Sequence, residues 1–134
     1  MDKVIKLDKV IECIKTVESL LGNCYKENIY QSALCVELNL NGFIIQSEVI
    51  VPIMYKGHNV GYERADIVVY SGDAPGTIIC ILELKSQNTR LSSKEINQLK
   101  KYITNLHSEV GLLVNFYETM EIIKVHQYSH SKIC

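Results

Sequence analysis

Apolar side chains at Val10, Ile14, Val17 and Leu21 recur at helical spacing, with Asp8 placed to cap the start and Gly22 to end the run. A second helical stretch begins near Tyr25 and reaches Leu40, where Asn41-Gly42 is a stop signal. On it Glu27, Tyr30 and Leu34 form one stripe, with Tyr30 and Leu34 directed to the core. The pattern then changes period. Residues 43–55 are mostly β-branched or aromatic, interrupted by Gln46-Ser47-Glu48 and by Pro52, which marks an edge or a bulge. A turn at 56–59, a strand over 60–70, a turn at 71–76 and a strand over 77–85 continue an antiparallel meander. Ser92 and Glu95 are spaced as a capping box for a helix carrying Ile96, Leu99, Ile103 and Leu106. Two closing strands, 110–116 and 121–128, follow, and 129–134 reads as a loose tail. The strand-helix-strand step from 77 to 116 predicts a right-handed crossover and a parallel pair. The whole reads as one α/β (α+β) domain over 1–134.

The charges that break this pattern are Arg64-Ala65-Asp66 and Glu83-Leu84-Lys85. Asp66 and Glu83 stand nearly equidistant from the centre of the turn at 71–76, which sets them opposite one another within a residue's slip. Alternation places Arg64 on the face of Asp66, and Lys85 on that of Glu83. Carboxylates on opposed Cβ atoms roughly 5 Å apart repel by about 3 kcal/mol at an effective dielectric near 20. The neighbours Ile67-Val68-Val69 and Ile78 to Leu82 are runs of the kind buried on both faces, where unpaired charge is costly. A divalent cation bound by oxygen, Lys85, or both would relieve the repulsion. The alternative is an exposed strand edge with Arg64 and Lys85 as ordinary ion-pair partners. For Glu27 the choice lies between site chemistry and complementing the positive end of its helix.

Composition narrows the classes. The chain has 134 residues, 47% hydrophobic and 22% charged, the balance of an ordinary globular domain. No apolar run approaches the roughly 20 residues of a spanning helix, and the first residues lack a signal-peptide layout, so an intracellular protein without a membrane partner is expected. Five cysteines without CxxC spacing argue against a disulfide framework and a zinc ribbon, and the eleven-residue spacing of Cys13, Cys24 and Cys35 reads as packing. His126 and His130 do not form a convincing zinc set. A net charge of −1 confines any nucleic-acid contact to a local patch, for which Lys85, Arg90, Lys94, Lys100 and Lys101 are the candidates. There is neither a phosphate-binding glycine loop nor a GxSxG elbow.

With those residues in place the chain resembles the GxxExxY family, a branch of the PD-(D/E)XK nuclease-like superfamily, from about residue 20 to 125. Glu27 and Tyr30 match the name motif, Arg64-Ala65-Asp66 the Arg-Ala-Asp strand, and Glu83-Leu84-Lys85 the Glu-Leu-Lys strand. Gln98 and Tyr102 are similar to the Gln and Tyr of the following helix, and Gly111-Leu112-Leu113-Val114-Asn115-Phe116 resembles its last matched strand. Cys24 stands where the motif has Gly, and Ala65 where the superfamily name has Pro. The resemblance implies a central mixed sheet flanked by helices, a restriction-endonuclease-like core. It further implies Mg²⁺, replaceable by Mn²⁺, on Asp66 and Glu83, with Glu27 completing the shell. Lys85 would assist the water and Gln98 would position water or phosphate. Arg64, Tyr30, Tyr102 and Lys101 would contact a nucleic-acid substrate, DNA before RNA.

Three functions compete on this reading. The first is a metal-dependent nuclease, and the second a non-catalytic module binding nucleic acid or protein on the same fold. The third is a self-associating protein using the sheet edge near Pro52, and a homodimer is compatible with each.

Overall fold

The computed structural model describes residues 2–73 and 76–134. Ala74 and Pro75, inside the turn expected at 71–76, lie outside the described residues. The order is α1 (Lys3–Leu21), α2 (Glu27–Leu40), β1 (Ile44–Tyr55), β2 (His58–Tyr70), β3 (Ile78–Lys85), α3 (Ser93–Leu106), β4 (Gly111–Asn115), β5 (Glu121–Val125) and β6 (His130–Lys132). The strands form one mixed sheet in the order β1-β2-β3-β4-β5-β6. All neighbours are antiparallel except β3 and β4, which are parallel and joined through α3, as the crossover required.

Helix α1 buries Leu7, Val10, Ile11, Ile14 and Val17, so its stripe begins one turn earlier than the sequence suggested. Its cap is Asp2, whose side chain accepts from Ile5 N at 3.0 Å, and Asp8 is an interior residue. Helix α2 buries Tyr30, Leu34 and Leu38. Both helices pack on one face of the sheet, against Ile67, Val69, Leu82, Leu84, Leu112 and Val114. Helix α3 covers the other face through Ile96, Leu99, Tyr102 and Ile103, against Ala65, Val68, Ile81 and Leu113. Its capping box is formed, with Ser92 N donating to Glu95 Oε2 at 2.9 Å. Leu99 lies so close over Gly111 that a Cβ there would stand 2.8 Å from Leu99 Cδ1, which fixes that position as glycine.

The β1–β2 connection is tighter than the four-residue turn expected. Lys56 and Gly57, with φ of 49° and 81°, form a two-residue turn of the type that matches strand twist, and His58 and Asn59 already pair with β1. The tail is not loose: His130–Lys132 pairs with β5, and Ile133 N donates to Ile122 O at 2.7 Å. Among the described residues no helix is long and apolar enough to cross a membrane.

Candidate active site

The β2–β3 ladder runs in register through Val68↔Ile81 and Ile67↔Leu82, so the next rung is Asp66 opposite Glu83. At that rung side chains replace the backbone bonds. Asp66 N donates to Glu83 Oε1 at 2.8 Å, and Leu84 N donates to Asp66 Oδ2 at 2.7 Å. Each carboxylate thus terminates the other strand's ladder, and the two strands part at the point where the acids meet.

The same rung reorganises the β1–β2 pair. Ile45 packs on the α1/α2 side and Val49 on the α3 side, although both are odd-numbered. In β2, Ala65 and Val68 both pack on the α3 side, although three residues apart. Both strands therefore turn over between Ser47↔Ile67 and Val49↔Ala65, where Glu48 faces Asp66, and the register continues unchanged because each strand turns over once. Glu48 takes up the turnover with φ of 54°. The strict alternation that put Arg64 and Asp66 on one face does not hold. Arg64 lies opposite Glu63 and Ala65, exposed, and has no side-chain partner among the described residues.

Glu83 is 5% exposed and Asp66 half-buried. Burial raises the carboxyl pKa of Glu83 most, and the Asp66 charge raises it further. Burial also raises Asp66, with Glu27 and Glu48 adding to it, while the Leu84 N–H bond and the Lys85 charge oppose the rise. Lys85 ends β3, half-buried, with its charge felt by both acids. Glu83 and Asp66 thus bond across the rung, and the Lys85 charge is felt at both. Glu27 stands exposed in the first turn of α2, and its charge reaches both acids. Among the described residues, however, no three His, Cys, Asp or Glu side chains are gathered so as to hold a metal ion. Asp66 and Glu83 are the two acids that bond across the rung, with Glu27 felt there through its charge.

Four further candidates take up these positions. Tyr30 is fully buried, stacked on Phe116 with ring centroids 4.2 Å apart, and its hydroxyl donates to Gly22 O at 2.7 Å. It braces the α1–α2 junction and cannot reach a substrate. Tyr102 is 1% exposed, and its phenol pKa is raised by burial first and then by Glu83, Glu63 and Asp66. The Gln98 amide donates to Glu63 Oε2 at 2.9 Å, and Tyr102 Oη donates to that oxygen at 3.5 Å, so both tie α3 to β2, with the Tyr102 phenol near enough to feel the charges of Asp66 and Glu83. Lys101 is exposed beside Lys100, Thr104, Gln127 and Tyr128, in a recess that contains none of the site residues. Glu48 and Glu63 were missed. The signal for Glu48 was the polar break in the 43–55 run, whereas nothing in the sequence pointed from Gln98 to Glu63.

The pair suits a hard divalent cation. Asp66 Oδ1 and Glu83 Oε2 accept no hydrogen bond among the described residues. No buried side-chain nitrogen or oxygen there lacks a partner, so both oxygens reach solvent. Two such oxygens, with waters making up the rest, are what Mg²⁺ takes from a protein.

The chain matches the family model of the PD-(D/E)XK nuclease superfamily over residues 5–125. It belongs to that superfamily. PD-(D/E)XK nucleases generally use divalent metals, usually Mg²⁺, on a nucleic-acid substrate, and the mixed sheet with flanking helices is their fold. No curated protein and no solved structure matches the chain. In this PD-(D/E)XK chain Asp66 and Glu83 are the acids that meet at one rung, with Lys85 two residues beyond Glu83.

Proposed function

We propose that this chain is a Mg²⁺-dependent nuclease of the GxxExxY branch, acting inside the cell and hydrolysing phosphodiester bonds, with DNA ahead of RNA as substrate. The observation that carries the reading is the rung at which Asp66 and Glu83 meet with raised pKa values and one solvent-reaching oxygen each. A purely structural strand pair gains nothing from opposed buried acids. Asp66 and Glu83 hold the cation, which supplies the Lewis acidity that cleavage of an anionic diester needs. Lys85 orients the attacking water and offsets charge that develops on the phosphoryl oxygens. Arg64, exposed and without a side-chain partner among the described residues, neutralises the phosphate backbone next to the site. Gln98 and Tyr102 position β2 through Glu63. The free cysteines agree with a reducing compartment.

The test is incubation of the native chain, Asp66→Ala and Glu83→Ala with single-stranded DNA, duplex DNA and RNA, each with Mg²⁺ or Mn²⁺. Metal-dependent cleavage lost in both variants supports the reading, and cleavage that survives both ends it. The competing reading, a non-catalytic binding module, draws on the net charge of −1. It predicts strand binding without any divalent-cation uptake.

A further inference from the structure

The apolar run of β4 ends in a buried polar side chain, Asn115, 3% exposed. Leu112 and Val114 pack toward α1 and α2 and Leu113 toward α3, so alternation sets Asn115 on the α3 side. In β3, Leu82 and Leu84 pack toward α1 and α2 and Ile81 toward α3, which sets Glu83 and Lys85 on the α3 side as well. Lys85 and Asn115 are partners in the parallel register, side by side at the roughly 4.8 Å spacing of neighbouring strands. Phe116 N donates to Lys85 O at 2.9 Å. Beyond that bond a side chain takes over from the backbone. Asn115 Oδ1 accepts from Gln87 N at 3.1 Å and from Tyr117 N at 3.4 Å, while Nδ2 donates to Gln87 O at 3.1 Å and to Thr89 O at 3.3 Å. A side-chain amide offers two donor hydrogens and two acceptor lone pairs on its oxygen, and all four are used. Nothing is left over to hold a substrate, so Asn115 acts only through what it fixes.

What it fixes is the chain on the far side of Lys85. On the near side Leu84 N donates to Asp66 Oδ2 at 2.7 Å. Between them Ser86 Oγ donates to Tyr25 O at 2.7 Å, on the approach to α2. The lysine therefore lies inside a stretch, 84–87, in which each residue is tied to another part of the chain. Residues 86–92 belong to no helix or strand, so without the amide this tether on β3 would end at the lysine and Ser86. A lysine is a point charge on a flexible four-carbon stem, and the place of its backbone decides what the ammonium reaches. A displacement on the order of 1 Å can cost a reaction about 100-fold.

We propose that Asn115 is a positioning residue for Lys85, its amide extending the β3–β4 ladder past the strand end so that the lysine is pinned on both sides beside the paired acids. This rests on the nuclease reading for what Lys85 does, but the first arm of its test does not. In that arm Mn²⁺ binding is measured by electron paramagnetic resonance, without nucleic acid, in a double-mutant cycle of Asn115→Ala and Lys85→Met. A lysine held beside the acids repels the cation, so Asn115→Ala, which frees it, tightens Mn²⁺ about threefold, and the same change in the Lys85→Met chain moves the affinity by less than about 1.5-fold. Circular dichroism checks the fold, and Asn115→Ser takes the place of Asn115→Ala if that variant is unfolded. Gly111→Ala, at the other end of β4, controls for lost stability alone and leaves Mn²⁺ affinity unchanged. In the second arm, kcat for Mg²⁺-dependent cleavage falls about 30- to 100-fold in the Asn115 variant with KM within about twofold. In the native chain the Gln87 amide hydrogen exchanges with solvent as slowly as those of the β3–β4 ladder. A fast Gln87 amide overturns the proposal, as does native or weaker Mn²⁺ affinity in a folded Asn115 variant. An equal shift in the Lys85→Met chain, the same shift in Gly111→Ala, or a cleavage defect confined to KM also overturns it and leaves Asn115 a structural residue. Coupling in Mn²⁺ binding without hydrolysis by the native chain leaves the positioning standing and removes the nuclease; metal-dependent hydrolysis without coupling does the reverse.

Discussion

Replacing Glu83 by Gln separates what the site does for folding from what it does for function. The amide keeps an oxygen for Asp66 N–H, now 2.8 Å from Glu83 Oε1, and removes the charge. In the native chain without metal, burial and the Asp66 charge raise the Glu83 pKa from 4.5 to about 8. The folded chain therefore holds that proton more tightly than the unfolded one. The resulting stability is complete below pH 4.5 and is lost as pH rises through about 8. Above that, two facing carboxylates roughly 5 Å apart repel by about 3 kcal/mol at an effective dielectric near 20. Trading a charged hydrogen bond for a neutral one returns about 1 kcal/mol of this. Glu83→Gln should then be more stable than the native chain by about 2 kcal/mol at pH 8.5, which for a domain of this size is roughly 8 °C in Tm. Urea and thermal unfolding in EDTA across pH 4.5–8.5 measure it. The difference should widen with pH and vanish at the acid end. A variant that is less stable than the native chain at pH 8.5, or a difference that does not change with pH, would refute the reasoning.

Lys85→Met should abolish hydrolysis in a discontinuous cleavage assay while calorimetry still finds the cation bound, because Lys85 is no ligand; loss of cation binding would contradict its role. Tyr30→Phe removes the hydroxyl that bonds Gly22 O and Tyr25 N, and should cost about 1–2 kcal/mol in urea unfolding without changing strand affinity. A fall in strand affinity at unchanged stability would return Tyr30 to the substrate contacts. Gly111→Ala places a Cβ 2.8 Å from Leu99 and should cost about 1–3 kcal/mol, with rescue by Leu99→Val in a double-mutant cycle. Ser92→Ala opens the capping box and should lower stability by about 1 kcal/mol, read by the same unfolding curves.

Much of this architecture could be read from residue order. The stripe of α2, the capping box at Ser92 and Glu95, the meander and the parallel crossover each rest on a local pattern with one physical meaning. Counting outward from the turn even brought Asp66 opposite Glu83, because antiparallel register is set by the turn. What failed were inferences that carried a local rule past a long-range event. Strict alternation gave Arg64 the face of Asp66, but two strands turning over at one rung leave no trace in either sequence alone except the polar break at Gln46-Ser47-Glu48. Gln98 could be placed on α3, yet its partner Glu63 is 35 residues away. Asp8 met the local rule for a cap, but Leu7 joins the buried stripe and moves the start to Asp2. The tail has few apolar residues, and only pairing with β5 orders it.

The account stands on Asp66 and Glu83 gripping one cation between them. Crystals grown with Mn²⁺ test this most directly, through anomalous density. The predicted peak lies about 2.1 Å from one oxygen of each carboxylate, the octahedral distance of Mg²⁺-like ions, and is lost in Glu83→Gln. A peak bound elsewhere, or fully occupied in the variant, would contradict the account.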